Sequence, residues 1–182
     1  VAAAVGAFGA ALGTMVANLS SHKRGWDDRW EEFGEWAEKG KACHEELTRL
    51  VDADTDAFNE IMAAFGLPQS NEEEKAARAA AIEAATVGAI EIPYRTMEVS
   101  LLSMEVIVAM AEIGLPASAS DAGVAALCAR TAVLGAYLNV LINAKELKDG
   151  ERARSFVEGG AALRDEAIMR EAKILEILAG KL

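Results

Sequence analysis

Apolar residues recur along this chain at intervals of three and four, the spacing that gathers them on one face of a helix, and strand-like alternation is scarce. The first nineteen residues, VAAAVGAFGAALGTMVANL, are almost wholly apolar and read as one helix. Residues 26–65 form a long helical run with an expected break near Gly40. A second long block, 72–113, opens with the acidic turn EEE after Pro68 and Asn71, which suits a helix N-terminus. Pro93 is expected to kink or interrupt that block. The segment GLPASASD, 114–121, reads as a loop that feeds a third helix, with Ser118 or Ser120 as its cap. The third helix runs to about Asn143, KELKDG makes a turn, and 151–179 forms the last helix. No internal repeat or low-complexity linker divides the chain. The expectation is a single-domain, all-α bundle of long, partly kinked helices over residues 1–182.

The apolar opening segment lacks a basic leading region and is built of Ala and Gly rather than Leu and Ile, which makes a poor signal peptide and a marginal membrane span. Gly6, Gly9 and Gly13 instead let another helix backbone come close, so a buried packing or dimer helix is expected. On the third helix, Asp121, Ala125, Cys128, Ala132, Gly135, Asn139 and Asn143 follow one another at spacings of four or three. They share a face that is small in its middle and polar at both ends, able to accept a close-packed helix or to line a cleft. Small-residue packing accounts for Ala125, Ala132 and Gly135 but explains two in-phase asparagines poorly. Val124, Leu127, Thr131, Leu134, Leu138 and Leu141 make a competing stripe expected to face the core.

Composition narrows the partners. The 182 residues are enough to bury a core without staples, and the formal charge of -11 argues against nucleic acid, which requires a basic footprint. Two cysteines, Cys43 and Cys128, are too few for a disulfide framework and lack metal-ligand spacing, so a reducing, cytoplasmic setting with both thiols as packing residues is expected. Because the chain begins with Val1 rather than Met, a piece of a longer protein is also expected.

The stretch LVDADTDAF, 50–58, carries three aspartates at every second position. A calcium loop beginning at Asp52 would need Gly at its sixth position and Glu at its twelfth. Those positions hold Ala57 and Ala63, so no metal site is expected here. Helical phase separates the three carboxylates. Asp54 falls within the apolar stripe Leu47, Leu50, Val51, Phe58, Ile61, Met62 and Phe65, whereas Asp52 and Asp56 lie beside Arg49, Thr55, Asn59 and Glu60 on a solvated face. A carboxylate pressed among apolar side chains must find partners or hold a proton, and desolvation would raise its pKa toward the range useful for proton transfer. The pattern alone leaves two roles for Asp54, a proton-transfer group or a structural Asp bonded to a neighbouring element.

VDADTDAFNEIMAAFGLP (51–68), EEEKAAR, IPYRTME, SDAGVAALCAR and GAYLNVLIN, in this order and spacing, closely resemble the cyclodeaminase domain of formiminotransferase-cyclodeaminase. Single-domain folate cyclodeaminases and cyclohydrolases share the pattern. The resemblance covers nearly the whole chain, apart from a glycine-rich GGGS that the family carries just ahead of the first helix. It implies a dimeric all-helical domain acting on tetrahydrofolate with a formimino group on N5. In that reaction N10 attacks the formimino carbon, ammonia leaves and 5,10-methenyltetrahydrofolate remains. The family's proton donor and acceptor matches Asp54, and neither a metal nor an organic cofactor is implied. One carboxyl group can serve both steps, taking the proton of N10 and then delivering one to the departing amine.

The glutamyl tail of a folate needs cations, and the run HKR at 22–24 is the best local cluster, with Lys23 and Arg24 as expected contacts and Arg95 or Arg130 as helpers. Cations placed at a helix end for the dipole are the alternative. Ser120, Asp121, Asn139 and Asn143 complete the expected substrate contacts. Two other readings stand beside cyclodeaminase: a methenyltetrahydrofolate cyclohydrolase using the same cleft, and a non-catalytic helical dimerisation domain. The resemblance further implies a homodimer, an upstream formiminotransferase partner, and a place in histidine degradation.

Overall fold

The computed structural model describes residues 1–181. Five α-helices carry the fold: α1 (Ala2–Ser21), α2 (Trp30–Phe65), α3 (Glu72–Ile113), α4 (Ala119–Ala144) and α5 (Gly150–Ala179), with short 3-10 turns at Asp27–Arg29 and Pro116–Ser118. Among the described residues there is no strand. Local chemistry sets several ends. Asn71 Oδ1 accepts from Glu74 N at 2.8 Å, and the Glu74 carboxylate accepts in return from Ser70 N at 2.7 Å, so α3 starts on reciprocal side-chain caps. Asp149 Oδ1 accepts from the amides of Glu151 and Arg152 to begin α5.

α1 lies among α2, α3 and α4, antiparallel to α4, while α5 covers α3 and α4 from the outside. The largest cluster of buried residues joins α3, α4 and α5 through Ile90, Met97, Met104, Ile107, Val133, Val140 and Ile174. A second joins Ala3, Ala7 and Ala10 to Cys43, Leu47, Leu50 and Val99, and a third centres on Val16, Phe33, Val106 and Met110. Ala2–Ser21 and Pro116–Ala144 are both long and apolar enough to cross a membrane, and 44% of the most apolar window of each is buried against other helices. Their apolarity here serves close packing. A Cβ added at Gly9 would stand 2.9 Å from the Ala125 carbonyl oxygen, a distance that only glycine permits.

Four expectations need correcting. α2 is continuous through Gly40, because that residue is where Thr14 of α1 packs against the backbone and a side chain would collide. Of the two outcomes expected at Pro93, the interruption does not occur, because α3 runs continuously from Glu72 to Ile113 and the carbonyl that the proline frees is taken up by another helix. Ser118 stands at the start of α4, but neither it nor Ser120 caps the helix by its side chain; the preceding 3-10 turn supplies the Pro116 carbonyl to the Ala119 amide instead. The junction is held by Ser20, whose buried hydroxyl donates to Val16 O at 2.7 Å and accepts from Leu115 N at 2.8 Å. Finally, Val124, Leu127 and Leu138 point outward, and the core face of α4 is Ala122, Ala125, Ala126, Ala129, Val133, Ala136 and Val140. A helix enclosed by three others at short range has room for alanine where leucine would not fit.

Candidate active site

The apolar stripe of α2 divides at Leu50. Leu47 and Leu50 are buried against α1, but beyond them Phe58, Met62 and Phe65 are 61%, 55% and 51% exposed. α1 begins beside Leu50, so the distal part of α2 lies beyond its cover, and its buried residues there are the small Ala57 and Ala64. Asp54 stands just past this step and is exposed. The apolar burial expected around it is therefore absent within the protomer, and what surrounds Asp54 is open space.

That space is shaped. A cavity of about 390 Å³ is lined by Asp54, Thr55, Phe58, Ile61, Ala89, Asn139 and Asn143. A second, of about 380 Å³, is lined by Val1, Ala2, Val5, Thr131 and Gly135, again with Asp54 and Asn139. A narrow third one reaches inward to Pro93 and Thr96, once more beside Asp54 and Asn139. Asp54 and Asn139 thus stand where all three meet. The polar end of the α4 face arrives here because α1 covers only its small-residue part, with Gly6 and Gly9 over Ala132, Cys128 and Ala125. Past Gly135, which stands opposite Ala2, the face is left open. Asn143 is held in place, its Nδ2 donating to the Ala89 carbonyl of α3 at 2.9 Å.

The expected substrate contacts fall into two groups. Asn139 and Asn143 are beside Asp54. Ser120 and Asp121 open α4, nineteen and eighteen residues before Asn139 and about 27–29 Å away along the helix. Lys23 and Arg24 follow the far end of α1, near the same end as Ser120 and about 30 Å from its start. Lys23 Nζ lies 4.0 Å from the centre of the Trp26 ring. Arg95 pairs with Glu98 and Glu46, and Arg130 with Glu171 at 3.3 Å, so both suggested helpers are engaged within the protomer. A groove of about 450 Å³ between α1 and α2 contains Met15, Asn18, His22, Lys41 and His44. It includes no carboxylate, and its histidines face the carbonyls of Asn18 and Ala7. Sequence reasoning placed Phe58 and Ile61 in a core rather than a cavity wall and did not draw in Ala89 or Thr131. For Ala89 the signal was present, since it lies four residues before Pro93.

Residues 1–159 match the sequence profile of the family described as formiminotransferase-cyclodeaminase. The chain belongs to this family. A methenyltetrahydrofolate cyclohydrolase from Methylorubrum extorquens is 36% identical over 180 residues, which is 99% of this chain and 86% of that protein. The formimidoyltransferase-cyclodeaminase of Mus musculus is 33% identical over 181 residues, but this chain spans only 34% of its length. The crystal structure of formiminotetrahydrofolate cyclodeaminase from Thermotoga maritima superposes with a TM-score of 0.85 at 26% identity, over 98% of this chain and 85% of that one. The family's members, by these names, are folate-interconverting enzymes of two kinds, cyclodeaminases and cyclohydrolases. The all-helical fold agrees with that of the Thermotoga enzyme.

Proposed function

We propose that this chain is a formimidoyltetrahydrofolate cyclodeaminase, closing 5-formiminotetrahydrofolate to 5,10-methenyltetrahydrofolate with release of ammonia, and that Asp54 moves the proton. The observation that supports this is the meeting of three cavities at one carboxylate flanked by Asn139 and Asn143. N10 attacks the formimino carbon and forms the new N–C bond. Asp54 accepts the proton that N10 then sheds. The same carboxyl group returns a proton to the former formimino nitrogen, the C–N bond breaks, and ammonia departs from the methenyl cation. No proton is gained or lost overall, so a single carboxyl group suffices and neither a metal nor an organic cofactor enters. Phe58 and Ile61 offer an apolar wall to the flat rings of the folate, and holding N5 and N10 in one geometry favours the closure.

Lys23, Arg24, Ser120 and Asp121 belong to this proposal only through a second copy of the chain, because within one protomer they lie at the far end of the bundle. A homodimer in which the exposed Phe8, Met15, Leu19, Val124, Leu127 and Leu138 of α1 and α4 are covered would let those residues receive the glutamyl tail of a folate bound at the partner's Asp54. A cytoplasmic protein acting in histidine degradation with a formiminotransferase, fused or associated, fits the same reading. The 36% identity to a cyclohydrolase of similar length supports a second reading, hydrolysis of the methenyl bridge, with Asp54 taking a proton from water.

One experiment separates the two readings. Purified protein is given 5-formiminotetrahydrofolate, the absorbance of methenyltetrahydrofolate is followed, and ammonia is assayed in parallel. Loss of absorbance from added methenyltetrahydrofolate is measured separately. Ammonia release with rising absorbance supports the cyclodeaminase, accelerated loss with no ammonia supports the cyclohydrolase, and inertness toward both sinks the proposal in favour of a non-catalytic helical domain.

A further inference from the structure

A proline inside a helix removes one N–H and crowds the carbonyl four residues before it, so one backbone acceptor loses its usual donor. In α3 that acceptor is the carbonyl of Ala89, four residues ahead of Pro93. Ala89 is only 9% exposed, and a polar backbone group so placed needs a partner. The partner comes from another helix: Asn143 Nδ2 of α4 donates to Ala89 O at 2.9 Å. A carbonyl can only accept, so the amide edge of Asn143 faces α3 and its Oδ1 is left with acceptor capacity alone. An unrestrained asparagine offers either edge to a ligand, whereas one whose Nδ2 is bonded to α3 keeps one further N–H and presents Oδ1 on its other edge. Asn143 lines the same cavity as Asp54 and Asn139.

We propose that Pro93 is a positioning residue that, by freeing the Ala89 carbonyl, fixes the Asn143 carboxamide so that its Oδ1 accepts a hydrogen bond from an N–H at the reacting carbon of the substrate. The inference rests on the folate reading above and adds which edge of the substrate is recognised. The terminal nitrogen of a protonated formimino group carries two N–H donors, positive charge and no acceptor. Asp54 and Asn143 together oppose that group with a carboxylate and a carbonyl oxygen. A 5-formyl folate has the same shape with oxygen in place of nitrogen, and would set oxygen against oxygen at Asn143. Pro93 and Asn143 thereby select formimino over formyl, because a site built around a hydrogen bond penalises the analogue that cannot make it.

The test uses Pro93→Ala, which restores an N–H that competes for Ala89 O and favours the helix. Expected are a fall of at least tenfold in kcat/KM for 5-formiminotetrahydrofolate, no loss of thermal midpoint, and tighter inhibition by 5-formyltetrahydrofolate relative to the KM of the substrate. Asn143→Ala should show a similar fall, and adding Pro93→Ala to it should change kcat/KM by less than twofold, since both act through one carboxamide. Exchange of the Asn143 side-chain amide protons, read by NMR, should be faster in Pro93→Ala than in the unmodified chain. Unchanged kcat/KM in Pro93→Ala, or losses that multiply in the double variant, would overturn the inference. If the unmodified chain turns over neither folate, the functional reading itself fails. The amide exchange then decides the positioning claim alone: acceleration in Pro93→Ala supports it and no change overturns it.

Discussion

Replacing Asp54 with Asn tests the proposed chemistry most directly, because the structure separates its effect on turnover from its effect on stability. Asp54 is exposed and makes no ion pair among the described residues, and Asn keeps its size. A surface substitution of this kind changes stability by less than about 0.5 kcal/mol, which in a domain this long moves the melting midpoint by about 1–2 °C. Removing a positioned acid and base, by contrast, lowers kcat by about 10²- to 10⁴-fold, or roughly 3–5 kcal/mol of barrier. The assay pairs methenyltetrahydrofolate absorbance with a thermal melt of the same preparation. A folded variant within tenfold of the unmodified rate would refute proton transfer by Asp54. A melt lowered by more than about 1 kcal/mol would instead mark Asp54 as a structural carboxylate holding a hydrogen bond.

Other sites carry further tests. Ser100 is fully buried and its hydroxyl has no hydrogen-bond partner, so Ser100→Ala should raise stability by about 1 kcal/mol in urea unfolding; a loss would contradict that reading. Gly9→Ala adds helix propensity worth about 1 kcal/mol but drives a methyl to 2.9 Å from the Ala125 carbonyl oxygen, so a net loss is expected, and a gain in melting midpoint would show that α1 can shift. The Arg49 hydrogen bond, helped by Arg95, holds the Glu46 carboxyl below its ordinary value of 4.5. A lowered native pKa contributes stability above the unfolded value that is lost as pH falls through the native one. Glu46→Gln should therefore lower the melting midpoint at pH 7 and make no difference well below pH 4, whereas an equal deficit at both would show that the effect is not titration.

Much of the fold was legible because it depends on local chemistry. Residues 72–113 were readable to the residue, since Asn71 with EEE starts the helix and Gly114 ends it. Periodicity was less informative about what covers each apolar face. It placed Phe58, Met62 and Phe65 in a core because it registers a stripe and not the neighbour, and α1 begins too late along α2 to cover them. On α4 the large residues drew the expected core to the wrong side, since hydropathy favours leucine over alanine while tight helix crossings favour alanine. The pairing of Asp54 with the two asparagines was partly visible. Helical phase singled out all three residues, but their convergence depends on where α1 stops covering α4, which is a property of the assembled bundle. Asp121 shares the sequence face of Asn139, and only the length of α4 separates it and the neighbouring Ser120 from that residue.

α1 has a consequence for how the molecule assembles. Gly6 meets Leu47, Ser100 and Ala132, and Gly9 meets Ala125, Cys128 and Ala129, so its close approaches reach residues 41 to 126 positions away in sequence. The Ser20 to Leu115 bond closes a loop of 95 residues. Contacts so distant in sequence cost more chain entropy to close than those of the neighbouring hairpins α3–α4 and α4–α5. α1 therefore behaves as a tethered ligand of the other helices, fitting a groove that must already exist. Its docking brings Val1, Ala2 and Val5 up to Asp54 and Asn139, and a chain caught before that step would keep the cavity between α2, α3 and α4 and lack the wall that α1 adds beside it.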